Sequence, residues 1–206
     1  TMSDRFHLHT TPNYSRVLKG KDYSFFNKPF GLRHWMEESL GFPDNTDHDE
    51  TVFIILDPDQ LVVRPFVQDY TEQAELWFPQ NQPAKHTAVT RGHPMGQLYG
   101  FGVGWMPGVN MSAIFNSTDE TSILHSNDHD KKLWTPTTVG QSFAAGPPYM
   151  AVGRDMYNIV NTWATIAVKV YQQTKDHLSE MFAYVVAAVH CGLEHQLATS
   201  FMVSSV

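Results

Sequence analysis

Val52-Phe53-Ile54-Ile55-Leu56-Asp57-Pro58-Asp59 is an unbroken apolar run that stops at two carboxylates. A run of this length bounded by polar residues is expected as a strand buried on both faces, the pattern of the centre of a parallel sheet. Open α/β sheets bind ligands outside the carboxyl ends of their strands, and Asp57 and Asp59 fall there. Two carboxylates one residue apart, around a proline that fixes the turn, can offer oxygen ligands to a hard divalent cation. Asp-Pro-Asp is also ordinary turn chemistry after a strand, so the motif alone leaves both readings open.

The 206 residues suit one domain, and 42% hydrophobic residues with 13% aromatics give enough apolar surface for a substantial core. The formal charge is −7 and no basic run exceeds Lys131-Lys132, which argues against a nucleic-acid surface. No window is apolar enough to span a membrane, and no signal-peptide pattern opens the chain. Because the first residue is Thr1, the chain is expected to be a portion of a longer protein. Cys191 is the single cysteine; its apolar setting fits a small buried hydrophobe better than a nucleophile, and no internal disulfide can form. Three glycosylation sequons begin at Asn13, Asn110 and Asn116.

Asn27-Lys28-Pro29 reads as a helix start with Asn27 as N-cap and Pro29 in the first turn, the helix running to about Leu40 and ending at Gly41-Phe42-Pro43. Arg5 to His9 is expected as a short strand, and Asp44 to Glu50 as an acidic loop. Between Tyr70 and Gln141 prolines and glycines break the pattern. There Gly100-Phe101-Gly102-Val103-Gly104 reads as a strand or bulge rather than a phosphate loop, and Asp119 to Lys132 as a surface loop. Gly146-Pro147-Pro148 is expected as a rigid turn feeding a short strand through Val152. Met156, Ile159, Val160, Trp163, Ala167 and Val170 keep helical spacing over Asp155 to about Tyr171. A second helix, from Asp176 to Cys191 and closed by Gly192, is apolar over most of its circumference.

That second helix makes Glu180 notable, because a lone buried carboxylate is costly unless it is paired or bound to metal. Glu180 and Tyr184 share a helix face, as a structural tie to the sheet or as a carboxylate aimed into a cleft. His195 and His190 are candidate metal ligands beside the aspartates, although a histidine near a helix C-terminus is favourable in any case. His125-Ser126-Asn127-Asp128-His129-Asp130 is a second candidate cluster, with a solvated turn as its plainer reading. No Gly-x-Ser-x-Gly elbow is present to suggest a serine hydrolase.

Asp57-Pro58-Asp59 resembles the Asp-x-Asp motif of nucleotide-sugar glycosyltransferases of the GT-A fold. Four blocks together resemble one family: Phe26-Asn27-Lys28-Pro29-Phe30-Gly31 with Trp35; Phe53 to Asp59 continuing to Arg64-Pro65; Arg154-Asp155-Met156 with Trp163; and Ser179-Glu180-Met181-Phe182-Ala183-Tyr184 leading to Gly192-Leu193-Glu194-His195. The family is the plant and algal hydroxyproline O-arabinosyltransferases and peptidyl serine α-galactosyltransferases. The resemblance implies an α/β domain over residues 1–206 with a GT-A-like, Rossmann-type mixed sheet flanked by helices. It also implies a UDP-sugar donor, Mn²⁺ or a similar cation, a Ser/hydroxyproline-rich protein acceptor, and a Golgi, endoplasmic-reticulum or secreted location. By it Asp57 and Asp59 form the metal and donor motif. Asn27 and Lys28 lie in the donor region, and Glu180 and Asp155 are the catalytic candidates. The family's first strand–helix unit has no counterpart here.

Relatives transfer with retention at the anomeric carbon, which implies that the leaving phosphate accepts the acceptor proton while Glu180 positions or stabilises. The alternative is a non-catalytic domain of the same fold, a binding or structural module in a secreted or surface assembly. A metal-dependent hydrolase using Asp57 and Asp59 is a third reading without a motif of its own.

Overall fold

The structure, a computed structural model, describes residues 6–62, 64–79, 84–99, 104–115 and 136–202. The candidate cluster at His125–Asp130, the surface loop from Asp119, the sequon at Asn116 and Gly100–Val103 lie outside the described residues. In chain order the elements are α1 (Asn27–Leu40), β1 (Val52–Ile55), α2 (Ala74–Trp77), β2 (Met95–Leu98), α3 (Met111–Phe115), α4 (Pro136–Ser142), β3 (Ala145–Val152), α5 (Gly153–Thr174), α6 (Ser179–His190) and β4 (Gln196–Ala198). Together they make a mixed α/β fold, a four-stranded mixed sheet flanked by helices.

The sheet order is β1-β3-β2-β4, with β3 antiparallel to both its neighbours and β2 parallel to β4. This corrects the expectation for the Val52–Leu56 run. Among the described residues β1 is an edge strand, antiparallel to β3, and Ile54 and Leu56 are each 37% exposed. The fully buried central strand is β3. Two prolines stand inside it because the pairing leaves them out. Tyr149 is the last β3 partner of β1, at Ile55, and the register with β2 shifts between Gly96↔Tyr149 and Gln97↔Gly146. Pro147 and Pro148, which have no N–H to donate, fall in that irregularity.

Successive residues of β3 alternate between two cores, as the strand period requires. Tyr149 and Ala151 join Ile55 and Leu197 in the larger core, built with α1, α5 and α6 around Met36, Trp163 and Tyr184. Met150 turns to the opposite face with Met95, Tyr70, Phe78 and Ala198. The three long helices follow the sequence closely. Gly41, at φ +77°, ends α1, and Gly192, at φ +65°, ends α6, with the Leu193 N–H returning to the Ala188 carbonyl. Asp176 to Leu178, expected as the first turn of α6, form instead a loop closed on the Ser179 hydroxyl. Phe6 to His9 pair with no strand among the described residues.

Gly153 opens α5 against β1 and the acidic loop, where an added Cβ would collide with the His48 carbonyl oxygen and approach Phe53 to 2.8 Å. Helix propensity alone favours Gly153→Ala by about 1 kcal/mol. Overpacking against a backbone atom opposes it at about 1–3 kcal/mol or more and wins. Gly153→Ala is therefore expected to lower the urea midpoint of unfolding, and a raised midpoint would show that the contact relaxes freely.

Candidate functional site

Three elements deliver one charged side chain each to a single place. Lys28 is the second residue of α1, Asp57 follows the carboxyl end of β1, and Glu180 lies in the first turn of α6. The Lys28 ammonium is 2.5 Å from Asp57 Oδ1 and 3.2 Å from Glu180 Oε1. Glu180 is 2% exposed, whereas the Lys28 and Asp57 side chains keep 18% and 27%, so the cluster has a closed floor and a rim that meets solvent. Neither carboxylate oxygen is met at a hydrogen-bonding angle, and the buried Tyr149 hydroxyl beside them has no hydrogen-bond partner among the described residues.

Local chemistry explains the placement. The Asp57 N–H donates to Gln60 Oε1 at 2.8 Å and the Gln60 N–H returns to the Asp57 carbonyl at 3.0 Å, closing the Asp-Pro-Asp turn. Gln60 Nε2 donates to the Pro147 carbonyl and fastens this turn over β3. The backbone of Glu180 is held from two sides: Trp163 Nε1 donates to its carbonyl at 2.8 Å, and its N–H donates to the Tyr23 hydroxyl at 3.2 Å. Tyr23 in turn donates to the His177 carbonyl.

Burial raises the Glu180 carboxyl to about 7 despite Lys28, which pulls it down, and with Asp57 adding to the rise. Lys28 shows the reverse balance. Burial works against its charge, but Glu180 and then Asp57 outweigh burial and raise its pKa, so the ammonium stays charged. Burial, and then Glu180, push the Tyr149 phenol far above its ordinary value.

The other sequence-predicted residues stand apart from this cluster. Asn27 is not a free N-cap: a 3₁₀ turn over Ser24–Phe26 runs straight into α1, and Asn27 Oδ1 accepts the Tyr14 N–H at 2.6 Å. With the Asn27 N–H used by that turn and Pro29 lacking one, the start of α1 offers little to an anion. Asp59 is exposed and makes no ion pair among the described residues. Asp155 anchors a second network, its Oδ2 accepting the Gly92 N–H at 2.6 Å and its Oδ1 lying 3.9 Å from Arg91. Arg91 and Arg154 there grip Asp49 and Glu50 of the acidic loop, so Asp155 ties that loop to α5.

His195 is buried with both ring nitrogens engaged. Nδ1 faces the Leu193 carbonyl at 3.0 Å and therefore carries the proton, which leaves Nε2 to accept the Tyr184 hydroxyl at 2.8 Å. Burial lowers its pKa to about 4, so the ring is neutral, and in this arrangement no lone pair is left for a metal. His190 stacks on Phe115, and burial raises the Cys191 thiol, as suits a packed side chain.

Tyr149 and Tyr23 were not legible as site residues. Tyr149 opens the short strand expected after the Gly146-Pro147-Pro148 turn, with nothing local to mark its hydroxyl, and Tyr23 reaches the site through its hydrogen bonds to residues 177 and 180. Among the described residues no group of three or more His, Cys, Asp or Glu is placed to hold a metal ion. Asp57, with 27% of its side chain exposed, and the exposed Asp59 are both open to solvent, and two carboxylates one residue apart are donors of the kind a hard divalent cation takes.

No protein-family model, curated protein or solved structure matches the chain, so the chemistry of the site rests on its own residues. That chemistry has a measurable consequence. Glu180 binds its proton more tightly folded, at about 7, than unfolded, near 4.5. The stability this contributes is full below the unfolded value and is lost as pH rises through about 7, roughly 3 kcal/mol across the window. Over much of that window the neutral His195 ring, with its pKa lowered to about 4, contributes in the opposite sense, so the difference carries the test. Urea unfolding between pH 4.5 and 8 is expected to show Glu180→Gln gaining stability relative to the wild type as pH rises. An identical slope in both would remove Glu180 as a source of pH-dependent stability.

Proposed function

We propose that this chain is a metal-dependent glycosyltransferase that moves a sugar from a UDP-sugar to serine or hydroxyproline hydroxyls of Ser/hydroxyproline-rich glycoproteins. The observation that carries the reading is the Lys28–Asp57–Glu180 cluster, in which one ammonium serves a buried and a solvent-reaching carboxylate beside a buried phenol with no hydrogen-bond partner among the described residues. A buried ion cluster is a poor device for stability, because apolar residues of similar volume do as well or better. An orphaned buried hydroxyl such as that of Tyr149 is rare enough to need a reason, and a polar ligand is one. The family resemblance of the blocks around Lys28, Asp57 and Glu180 supports the same reading.

Asp57 and Asp59 would hold the cation together with the donor's phosphates, and the cation would neutralise charge on the departing diphosphate. Lys28 supplies a fixed positive charge beside Asp57. The Gln60 clasp fixes the backbone of the turn that carries both acids, with the Asp57 carboxylate against Lys28 and Asp59 exposed. Glu180, held near neutrality, can keep or yield a proton at the floor of the site during transfer. A UDP-dependent enzyme of this kind is expected to act in the lumen of the secretory pathway, where the sequons at Asn13 and Asn110 would also be used.

The burial of Glu180 favours one other reading, a purely structural ion cluster in a non-catalytic domain of a secreted or surface assembly. Asp59→Ala separates the two, because an exposed, unpaired side chain changes stability by no more than about 0.5 kcal/mol. Calorimetric titration of UDP is expected to show binding that needs Mn²⁺ in the wild type and is lost in Asp59→Ala at unchanged melting temperature. Absence of UDP binding by folded wild-type protein, with and without Mn²⁺, would leave the structural reading.

A further inference from the structure

We propose that Lys28 exchanges partners as the site loads: without a cation its ammonium is the countercharge of Asp57 and Glu180, and once a divalent cation takes Asp57 the ammonium turns to the phosphates that arrive with it. This rests on the nucleotide-sugar reading and adds a coupling to it, since each ligand removes an obstacle to the other.

The geometry points there in three steps. First, the ammonium is 2.5 Å from Asp57 Oδ1, about the distance at which an oxygen ligand meets a hard cation. An ammonium and a divalent ion on one carboxylate, on the same oxygen or on its two oxygens, face each other at close range and repel. Second, the Lys28 side chain is not sealed in: it retains 18% of its surface, on the same side as the partly exposed Asp57. Its head is a compact point charge on a flexible four-carbon stem, which can move without any change in α1. Third, once displaced, the ammonium keeps Glu180 as a neighbour at 3.2 Å and gains no other carboxylate among the described residues. A phosphate entering over the rim is the anion it would meet, and lysine binds phosphate well as a point charge.

Thermodynamic linkage makes the exchange measurable. If Lys28 opposes the cation in the empty site and holds the phosphate in the loaded one, UDP tightens Mn²⁺ binding, and Mn²⁺ tightens UDP binding by the same factor. Removing the ammonium acts in opposite directions on the two ligands. In Lys28→Met, Mn²⁺ alone binds more tightly than in the wild type because Asp57 is released. UDP at saturating Mn²⁺ binds more weakly because the phosphate contact is gone. A lysine serving only to hold the fold together moves stability and leaves the coupling factor where it was.

The test follows the electron paramagnetic resonance signal of free Mn²⁺ during titration of the full chain, with and without UDP. With the Mn²⁺ taken up by free UDP subtracted, UDP is expected to tighten Mn²⁺ by about 10–100-fold in the wild type, and in Lys28→Met that factor drops several-fold, to the part that direct metal–phosphate coordination supplies, while Mn²⁺ alone binds about tenfold tighter. Lys28→Arg, which keeps the charge, is expected to retain most of the coupling. Lys28→Met strands Glu180 in a buried place, so the double variant Lys28→Met/Glu180→Gln, which removes both charges, replaces it where the single variant unfolds. UDP binding with an unchanged coupling factor overturns the exchange and leaves the nucleotide-sugar reading standing. Wild-type protein that takes up Mn²⁺ but no UDP overturns that reading, and the exchange with it.

Discussion

A carboxyl that is 2% exposed either keeps its proton or stands beside a countercharge, and the countercharge within reach of Glu180 is Lys28. The pairing constrains more than two side chains. Lys28 is borne by α1, Asp57 by the end of β1 and Glu180 by α6, so one ammonium fixes how two helices and a strand meet. The backbone around Glu180 is restrained before the charge is considered, by the Trp163 indole on its carbonyl and the Tyr23 hydroxyl on its amide. Its carboxylate therefore has little choice of direction. Being in the first turn of α6 helps it, since a helix start favours negative charge, but burial is the larger effect and leaves the group close to neutrality.

The floor of the site depends on β3. A strand buried on both faces gives the fold two cores, and the alternation that sends Met150 to one of them sends Tyr149 to the other. Tyr149 stacks on Tyr184 with ring centroids 3.7 Å apart and meets Trp163 edge-on. That aromatic stack buries the phenol in the field of Glu180 and Asp57, with no hydrogen-bond partner for it among the described residues. Tyr184 passes its own hydroxyl on to His195. The histidine proposed as a metal ligand is thus a support for the stack behind the site.

The three long helices were legible because their apolar spacing, the glycines that close α1 and α6 and the proline in the first turn of α1 are local signals. The sheet was not, and the reason lies in two segments. The apolar run of β1 resembles a central strand, yet only Ile55 is buried, and run length cannot reveal which neighbours a strand finds. The true centre, β3, carries Gly146-Pro147-Pro148, which argues against a central strand unless a register shift hides the prolines, and such a shift depends on β2 far away in sequence. Lys28, Asp57 and Glu180 could be named in advance because each falls in a distinctive block. Asp155 and His195 also fall in such blocks, but Arg91, Gly92 and Tyr184 claim them, and none of those contacts is written in local spacing.

The Asp57-Pro58-Asp59 turn divides its two carboxylates by what each faces. Asp57 is neutralised by Lys28, while Asp59 is left in solvent with no partner among the described residues. A purely structural turn has no need of the second acid, because the turn closes through the backbone of Asp57 and Gln60 and through the Gln60 side chain. Under the proposed reading the second acid has a use, as an exposed oxygen ligand next in line to the one that Lys28 neutralises. The proline between them fixes the turn that sends the two acids to different surroundings, one against an ammonium and one into solvent.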